Sequence, residues 1–257
     1  MNIKSKRIAV QMEIEWTSNR HYEVLGGIYD YAKTQPEWVV EVSRFPEVRM
    51  EQGVHFDGVV GRIENSMYDA AQKMGIPTVN TWISSPVAKH MVNVFADMRL
   101  AAEMGVNHLV ARGIRNLGTI QFARDKGSAQ HAIGVANAAA AAGLRCSSVV
   151  IDRNFEESIE VWRHTIAAVR KMLADVKPPY GLVVFYDVIA LLACEVATDI
   201  GWSIPRDIAL VACGNEAPGT VDPDMTISTV DQAYRRIVFD AAALLDEQMN
   251  NGHLQPS

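Results

Sequence analysis

Aromatic and charged side chains stand directly after successive short apolar runs in this sequence. An aromatic ring can cover the C–H face of a sugar, while carboxylate and guanidinium groups can form paired hydrogen bonds with its hydroxyls. The residues of these kinds, with one amide, are Glu13, Trp16, Arg62, Trp82, Asp97, Phe122, Tyr186, Asp187 and Asn215. Their types and positions predict a ligand-binding pocket for a polyol or sugar-like small molecule.

Several of these residues have a purely structural alternative. Asp97 and Asp187 stand where predicted helices begin, so each could serve only as a helix cap. Trp16 and Trp82 could equally be core residues, because an indole ring buries a large apolar surface. The shared position of the whole set, more than any single member, favours a ligand site.

The sequence lacks the motifs that would indicate an enzyme or a bound cofactor. The turn at residues 13–19 has neither the glycine pattern of a dinucleotide site nor the lysine of a phosphate-binding loop. No G-x-S-x-G, H-E-x-x-H or C-x-x-C occurs, and the seven histidines show no metal-ligand spacing. We therefore expect no cofactor, no metal and no enzymatic activity, although scattered catalytic groups leave a small-molecule enzyme as an alternative.

The apolar runs alternate with helical patterns, as in a parallel α/β protein. They are continuous rather than alternating, which is typical of strands covered on both faces. Strands are predicted at 7–12, 39–42, 58–60, 78–80, 91–94, 117–122, 147–151, 181–185 and 208–212. Helices are predicted at 19–33, 66–73, 97–112, 128–142, 155–176, 188–200 and 232–250. The pattern begins again after the helix at 97–112, which predicts two doubly wound parallel-sheet lobes, with ligands at the carboxyl ends of the strands.

The composition favours a cytoplasmic protein that does not bind nucleic acid by itself. The formal net charge is -6, and the 24 Lys and Arg residues are scattered, whereas phosphate contacts need a clustered positive face. Cys146, Cys194 and Cys213 are far apart and predicted to be reduced core residues. No secretory leader is evident at the N-terminus, and no apolar run approaches the length that spans a membrane.

Several segments resemble a known family in both order and spacing. They are the opening strand 7–11, the helix segment 22–28, and the segments 56–60, 75–79, 94–97, 204–211 and 227–232. Over nearly its whole length the chain resembles the LacI/GalR-type, periplasmic-binding-protein-like (type I) sensor domains of transcription regulators. Within them it is most similar to the xylose-operon regulators of the AraC class, on two grounds. It starts directly with the sensor strand, and it contains Gly214-Asn215-Glu216.

The resemblance implies a domain organisation and partners. One lobe would be 1–96 with 229–257, and the other 97–228. An AraC-type DNA-binding domain would follow residue 257, and the intact protein would be a homodimer without membrane contact. A sugar-like effector would bind in the cleft between the lobes and thereby control DNA binding. A solute-binding protein for sugar uptake is the alternative.

The resemblance also implies ligand residues. Asp97, Asp187 and Gln232 match common sugar contacts of the family. His131 stands where an arginine is usual, and Gly214 stands where an aspartate is usual. Because a bidentate guanidinium and a carboxylate are both missing, we expect an effector other than plain D-xylose. On the alanine-rich helix, His131 could also be a packing residue.

Overall fold

The chain divides into two compact units, which are described separately. The structure, a computed structural model, describes residues 5–13, 18–152, 158–214 and 227–251. Unit 1 comprises Met1–Ala96 and Ala233–Ser257, and unit 2 comprises Asp97–Gln232. The functional domain boundaries that the resemblance implies stay predictions.

Ten strands and eight helices lie in the described part of the chain. The strands are β1 (Lys6–Gln11), β2 (Trp38–Ser43), β3 (Gly58–Gly61), β4 (Thr78–Asn80), β5 (Val92–Asn93), β6 (Asn116–Phe122), β7 (Cys146–Ile151), β8 (Tyr180–Val184), β9 (Ile208–Ala212) and β10 (Ser228–Thr229). The helices are α1 (Asn19–Ala32), α2 (Pro46–Glu51), α3 (Asn65–Met74), α4 (Met98–Ala111), α5 (Lys126–Ala141), α6 (Ile159–Ala174), α7 (Asp187–Asp199) and α8 (Tyr234–Asn251).

Unit 1 is built on a five-stranded sheet of order β2-β1-β3-β4-β5, in which every neighbouring pair is parallel. Consecutive residues of β1 face opposite sides. Ile8 and Val10 pack with α1 and α8, whereas Ala9 packs with α2 and α3. Helices therefore cover both faces of the sheet, which explains why its strands are continuously apolar.

Unit 2 is built on a second parallel five-stranded sheet, of order β10-β9-β8-β6-β7. Leu182 and Leu210 face the core formed with α6 and α7. Val183 and Val211 face the other side, where they lie close to Gly105 of α4. This sheet is also covered on both faces.

Helix α8 is fastened to the first sheet by a buried polar network. Asp246 is 8% exposed and accepts hydrogen bonds from Lys6 Nζ at 3.0 Å, Tyr31 Oη at 3.3 Å and Trp38 Nε1 at 3.3 Å. Burying a carboxylate without hydrogen-bond partners costs free energy, and these three donors offset that cost. The last described helix thus completes a unit whose strands all come from the first part of the chain.

The predicted α/β architecture of two doubly wound parallel sheets is confirmed. All nine predicted strands are present, and β10 is an additional strand of two residues. The short α2 and a turn of 3-10 helix at Ala88–His90 were not predicted. The predicted helix at 155–176 is described only from Ile159, since residues 153–157 lie outside the described residues.

None of the helices that the structure describes is long and apolar enough to cross a membrane.

Candidate functional site

At the carboxyl edge of the unit 1 sheet, three predicted site residues meet. Arg62, just after β3, donates from Nη1 to Glu13 Oε2 at 2.9 Å. The Arg62 guanidinium carbon lies 4.5 Å from the centre of the Trp82 ring, within the range of a cation–π contact. Both charged side chains are about one-third exposed or less, at 35% and 26%. An aromatic face and two hydrogen-bonding groups are therefore presented together, as sugar binding requires.

Asn80 holds the loop that carries Trp82. Its Nδ2 donates to the Trp82 carbonyl at 2.9 Å and to Asn93 Oδ1 at 2.8 Å, while its Oδ1 accepts from the Trp82 amide at 3.1 Å. Asn80 is fully buried at the end of β4. Its side chain thus fixes the backbone of Trp82 and links the end of β4 to Asn93 of β5.

Beside Trp82 lies an open pocket of about 460 Å³. It is lined by Glu64, Asn65, Ser66, Trp82 and Pro86. The first turn of α3 contributes Asn65 and Ser66, so the amino end of that helix faces the pocket. The volume is within the range of pockets that bind small molecules.

In unit 2 the corresponding strand ends carry an aromatic cluster. The ring centres of Phe122 and Tyr186 lie 5.2 Å apart, and those of Phe185 and Tyr186 lie 4.7 Å apart in an edge-to-face arrangement. The Tyr186 hydroxyl donates to Asp125 Oδ2. Asp125 Oδ1 accepts from the Ser128 amide at 2.8 Å and caps α5. Phe122 and Tyr186 are thus brought together, and Asp125, which was not predicted, positions the tyrosine.

His131 lies behind this cluster and is fully buried. Its ring centre is 5.8 Å from that of Phe185, and its Nε2 is 3.2 Å from Cys213 Sγ. Burial raises the pKa of the Cys213 thiol to about 12 and lowers the pKa of His131 to about 4, so near neutral pH both groups are uncharged. The Cys213 thiol lies 3.2 Å from His131 Nε2 and 3.8 Å from the Ala101 carbonyl oxygen, so it can donate to either acceptor. His131 Nδ1 has no hydrogen-bond partner among the described residues.

Cys213 also connects Asp187 and Gln232. Gln232 Nε2 donates to the Cys213 carbonyl oxygen. Burial is the main cause of the raised pKa of the Cys213 thiol, and the negative charge of Asp187 is the second cause. Asp187 is 6% exposed and Gln232 is 7% exposed. A Cβ placed on Gly214 would lie 3.0 Å from Asp187 Oδ2, so a larger residue at this position would crowd the Asp187 carboxylate. Three predicted residues, His131, Asp187 and Gln232, therefore surround a cysteine that was predicted only as core.

Asp97 caps helix α4, which is the structural role that the sequence analysis gave as the alternative to ligand binding. Its Oδ1 accepts from the Arg99 amide at 2.9 Å and from the Leu100 amide at 3.0 Å, at the start of α4. The side chain is exposed, and capping leaves its second carboxylate oxygen available for a ligand. Two other predicted site residues, Trp16 and Asn215, lie outside the described residues.

A Ser–His pair elsewhere in unit 2 lacks the tautomer that hydrolysis would need. His108 Nε2 lies 2.9 Å from Ser228 Oγ, and Arg112 Nη1 lies 3.1 Å from His108 Nδ1. A guanidinium can only donate, so Nδ1 accepts and the ring proton is on Nε2. That nitrogen cannot take a proton from Ser228, and the pair instead ties β10 to α4. Among the described residues, no three His, Cys, Asp or Glu side chains converge as metal ligands.

Comparison with known proteins identifies similar sequences over much of the chain. A family model described as a periplasmic binding protein-like domain matches residues 106–257. The chain is also similar to the HTH-type transcriptional repressor PurR of Aliivibrio salmonicida (strain LFI1238), with 26% identity over 170 residues. That match covers 65% of this chain and 49% of PurR, so the chain spans about half the length of this curated relative.

Solved structures share the fold of the whole described chain. The structure of the xylose-binding transcription activator XylR has a TM-score of 0.82 at 17% identity, covering 99% of this chain and 66% of that chain. A LacI transcriptional regulator from a Rhodococcus species has a TM-score of 0.77 at 18% identity, covering 98% of this chain and 93% of that chain. At these identities the likeness establishes the fold, which is the periplasmic-binding-protein-like type I fold of two parallel five-stranded sheets.

Proposed function

The chain belongs to the family of periplasmic-binding-protein-like domains, and from this we propose that it is the effector-binding domain of a LacI-family transcription regulator. The effector is a sugar-like small molecule bound at the carboxyl ends of the strands. The relatives support this role, because PurR is an HTH-type repressor and XylR is a xylose-binding activator. They are regulators rather than enzymes.

The observation that carries the proposal is the contact among Glu13, Arg62 and Trp82 in unit 1. Arg62 forms an ion pair of 2.9 Å with Glu13 and lies 4.5 Å from the Trp82 ring, and Trp82 in turn lines an open pocket of about 460 Å³. A sugar can stack its C–H face on the indole ring while its hydroxyls bond to the charged groups. The remaining predicted residues stay proposed ligand contacts; they are Phe122, Tyr186, Asp187, Gln232, His131, Asp97, Trp16 and Asn215.

DNA binding is proposed to reside in a domain outside this chain. An AraC-type domain following residue 257 stays a prediction, and the relatives do not support it, because their names are those of HTH-type and LacI regulators. The coding sequence on either side of the chain tests this directly. A homodimer, a cytoplasmic location and a domain division at 96/97 and 228/229 are likewise proposals.

Sugar binding is tested by thermal denaturation and calorimetry with D-xylose, D-glucose and D-cellobiose. We expect at least one of them to raise the melting temperature, because a ligand that binds only the native state stabilises it. Arg62→Gln should weaken that binding by about 1–3 kcal/mol, since a charged hydrogen-bonding partner is lost. Arg236→Gln is the control, because Arg236 pairs with Asp240 on the exposed surface of α8.

Two results would contradict the proposal. Turnover of a sugar instead of simple stabilisation would indicate an enzyme. Equal losses of affinity in Arg62→Gln and Arg236→Gln would remove Arg62 from the site. Transport, the remaining alternative, is distinguished by the gene, since a solute-binding protein for uptake is encoded with a secretory leader.

A further inference from the structure

Glu47 is a buried carboxylate that is bonded to a residue lining the pocket in unit 1. It stands in the first turn of α2, and 8% of its surface is exposed. Its Oε1 accepts a hydrogen bond from Ser66 Oγ at 2.6 Å. Ser66 lies in the first turn of α3, is exposed, and lines the pocket beside Trp82. The buried acid is therefore connected to the pocket through one serine hydroxyl.

The second oxygen of the Glu47 carboxylate is also buried, and it has no hydrogen-bond partner among the described residues. Burying a carboxylate oxygen without a donor costs free energy. An apolar side chain would suit these surroundings, because α2 and α3 contribute Met50 and Met67 to the same hydrophobic core. The stability of the fold therefore does not explain Glu47, whereas its hydrogen bond to Ser66 leads to the pocket.

The bond to Glu47 decides which hydrogen bond Ser66 offers to a ligand. A serine hydroxyl has one proton and two lone pairs, whereas a carboxylate can only accept. The proton of Ser66 is therefore directed to Glu47, and the Ser66 oxygen is left as an acceptor for a group in the pocket. A ligand group that donates a hydrogen bond suits this oxygen, whereas an ether, keto or fluoro group does not.

We propose that Glu47 is a positioning residue of the candidate site, and that it makes Ser66 an acceptor which selects a hydroxyl group of the effector. This inference rests on the proposed sugar-sensing function and specifies one recognition point in the pocket. The effector is a polyol that keeps a free hydroxyl where it meets Ser66, while its C–H face lies on Trp82. A derivative that lacks this hydroxyl, or carries it as an ether or a ketone, loses the hydrogen bond.

Calorimetry with sugar analogues first identifies the hydroxyl that meets Ser66. The probes are D-xylose and D-glucose with their monodeoxy and monofluorodeoxy analogues, measured on the wild type and on Ser66→Ala. At one ring position, removing the hydroxyl should weaken binding to the wild type by about threefold to tenfold, and should have little effect on Ser66→Ala. Ser148→Ala is the control, because Ser148 is exposed on β7 of unit 2. If no position distinguishes the wild type from Ser66→Ala, the inference is overturned and sugar sensing stands.

The fluoro analogue at that position tests the direction of the hydrogen bond. Fluorine can accept a hydrogen bond but cannot donate one, so this analogue should bind the wild type as weakly as the deoxy analogue. A fluoro analogue that binds as tightly as the parent sugar would mean that Ser66 donates to the ligand. That result would contradict the role given to Glu47.

Glu47→Met tests the carboxylate itself. Methionine is apolar and of similar length, so the Ser66 proton becomes available to the ligand. The difference in affinity between the fluoro analogue and the parent sugar should then narrow by about threefold or more. Without sugar, Glu47→Met should melt at or above the temperature of the wild type, because a buried carboxylate with one unbonded oxygen is removed. Glu51→Met is the control, since Glu51 is exposed on the same helix.

The outcomes separate the inference from the proposed function. An unchanged difference in affinity in Glu47→Met would overturn the positioning role, and a markedly lower melting temperature would assign Glu47 to the fold instead. If none of the sugars binds the wild type, the proposed function itself fails, and the role of Glu47 fails with it.

Discussion

His131 makes the stability of this protein dependent on pH. Burial lowers its pKa from the ordinary value of 6.5 to about 4. Above pH 6.5 the imidazole is neutral whether the chain is folded or unfolded. Below pH 6.5 the unfolded chain takes up a proton that the native protein refuses, so the free energy of unfolding falls until the native imidazole is also protonated, at about pH 4. The full difference is about 3 kcal/mol.

Urea unfolding of the wild type and His131→Gln at pH 7 and pH 4.5 measures this contribution. The variant should lose less stability than the wild type on going to the lower pH, because glutamine does not titrate. His164→Gln is the control, since His164 is exposed on α6 and its side chain is 76% accessible. A pH dependence that is identical in wild type and His131→Gln would show that His131 is not the titrating group.

At the residue scale, the sequence predicted the side chains of the candidate site better than it predicted the residues that hold those side chains in place. Glu13, Arg62 and Trp82 were selected because each follows a strand, and they do meet. Asp125 and Cys213 were not selected. An aspartate before a helix is usually only a cap, and a cysteine among apolar residues is usually only core. Their roles arise from contacts over 61 and 82 residues of sequence, which no local pattern reveals.

Two adjacent glycines in α1 report how closely this helix packs on α8. A Cβ on Gly27 would lie 2.3 Å from the Arg235 carbonyl oxygen, which is backbone and cannot move aside. A Cβ on Gly26 would meet the end of the flexible Arg235 side chain at 3.0 Å. We expect Gly27→Ala to lower the free energy of unfolding by about 1–3 kcal/mol, as overpacking does. Gly26→Ala should be neutral or stabilising, because alanine favours the helix.

Chemical denaturation of both glycine variants provides the comparison. Each replaces a glycine of the same helix by the same residue, so the difference between them isolates the contact with the α8 backbone. Equal stabilities for Gly26→Ala and Gly27→Ala would mean that the two helices separate readily.

The start of α8 is fixed by a residue in an unfavourable conformation. Ala233 has a φ of 55°, the left-handed region that favours glycine, and the helix begins at the next residue. Ala233→Gly removes a strain of about 1–2 kcal/mol, which offsets the greater freedom of glycine in the unfolded chain. We therefore expect this variant to be at least as stable as the wild type. Ala243→Gly, inside the same helix, should cost about 1 kcal/mol.

Thermal unfolding of Ala233→Gly and Ala243→Gly decides between strain and ordinary helix propensity. A loss of stability in Ala233→Gly equal to that in Ala243→Gly would contradict the strain.

Elements with a continuous apolar run or a clear helical repeat were predicted from sequence, and even the short strands β4 and β5 were among them, whereas α2 and β10 were not. The strands β1 and β6 have six and seven residues and were recognised by their continuous apolar character. Helix α2 has six residues, too few for a helical repeat to be visible, and β10 has two. The strand β10 forms through parallel pairing with β9, since Ser228 and Thr229 are not themselves apolar. Tertiary contacts, and not local preference, create such elements.

At the scale of the whole molecule, unit 2 is formed by one continuous segment of the chain, whereas unit 1 is formed by two segments. Unit 2 is one continuous segment, Asp97–Gln232, and contains its own sheet and both covering layers. Unit 1 needs α8, because Val238, Ala241, Ala242 and Leu245 belong to its core. We expect a fragment of residues 97–232 to fold alone, whereas residues 1–96 alone should not.

Circular dichroism and urea unfolding of the two fragments test this expectation. The fragment 97–232 should unfold in one cooperative transition. The fragment 1–96 should lack one and should regain structure when residues 233–251 are joined to it through a flexible linker. A cooperative transition in 1–96 alone would mean that α8 is dispensable for this unit.

The late position of α8 has a consequence for synthesis on the ribosome. The strands of unit 1 emerge first, but the apolar face that α8 covers stays open until the whole of unit 2 has been translated. During that interval the nascent chain carries a finished second unit and an incomplete first one. We therefore expect unit 2 to fold before unit 1 is complete, and the sheet face that α8 covers to be where a chaperone binds.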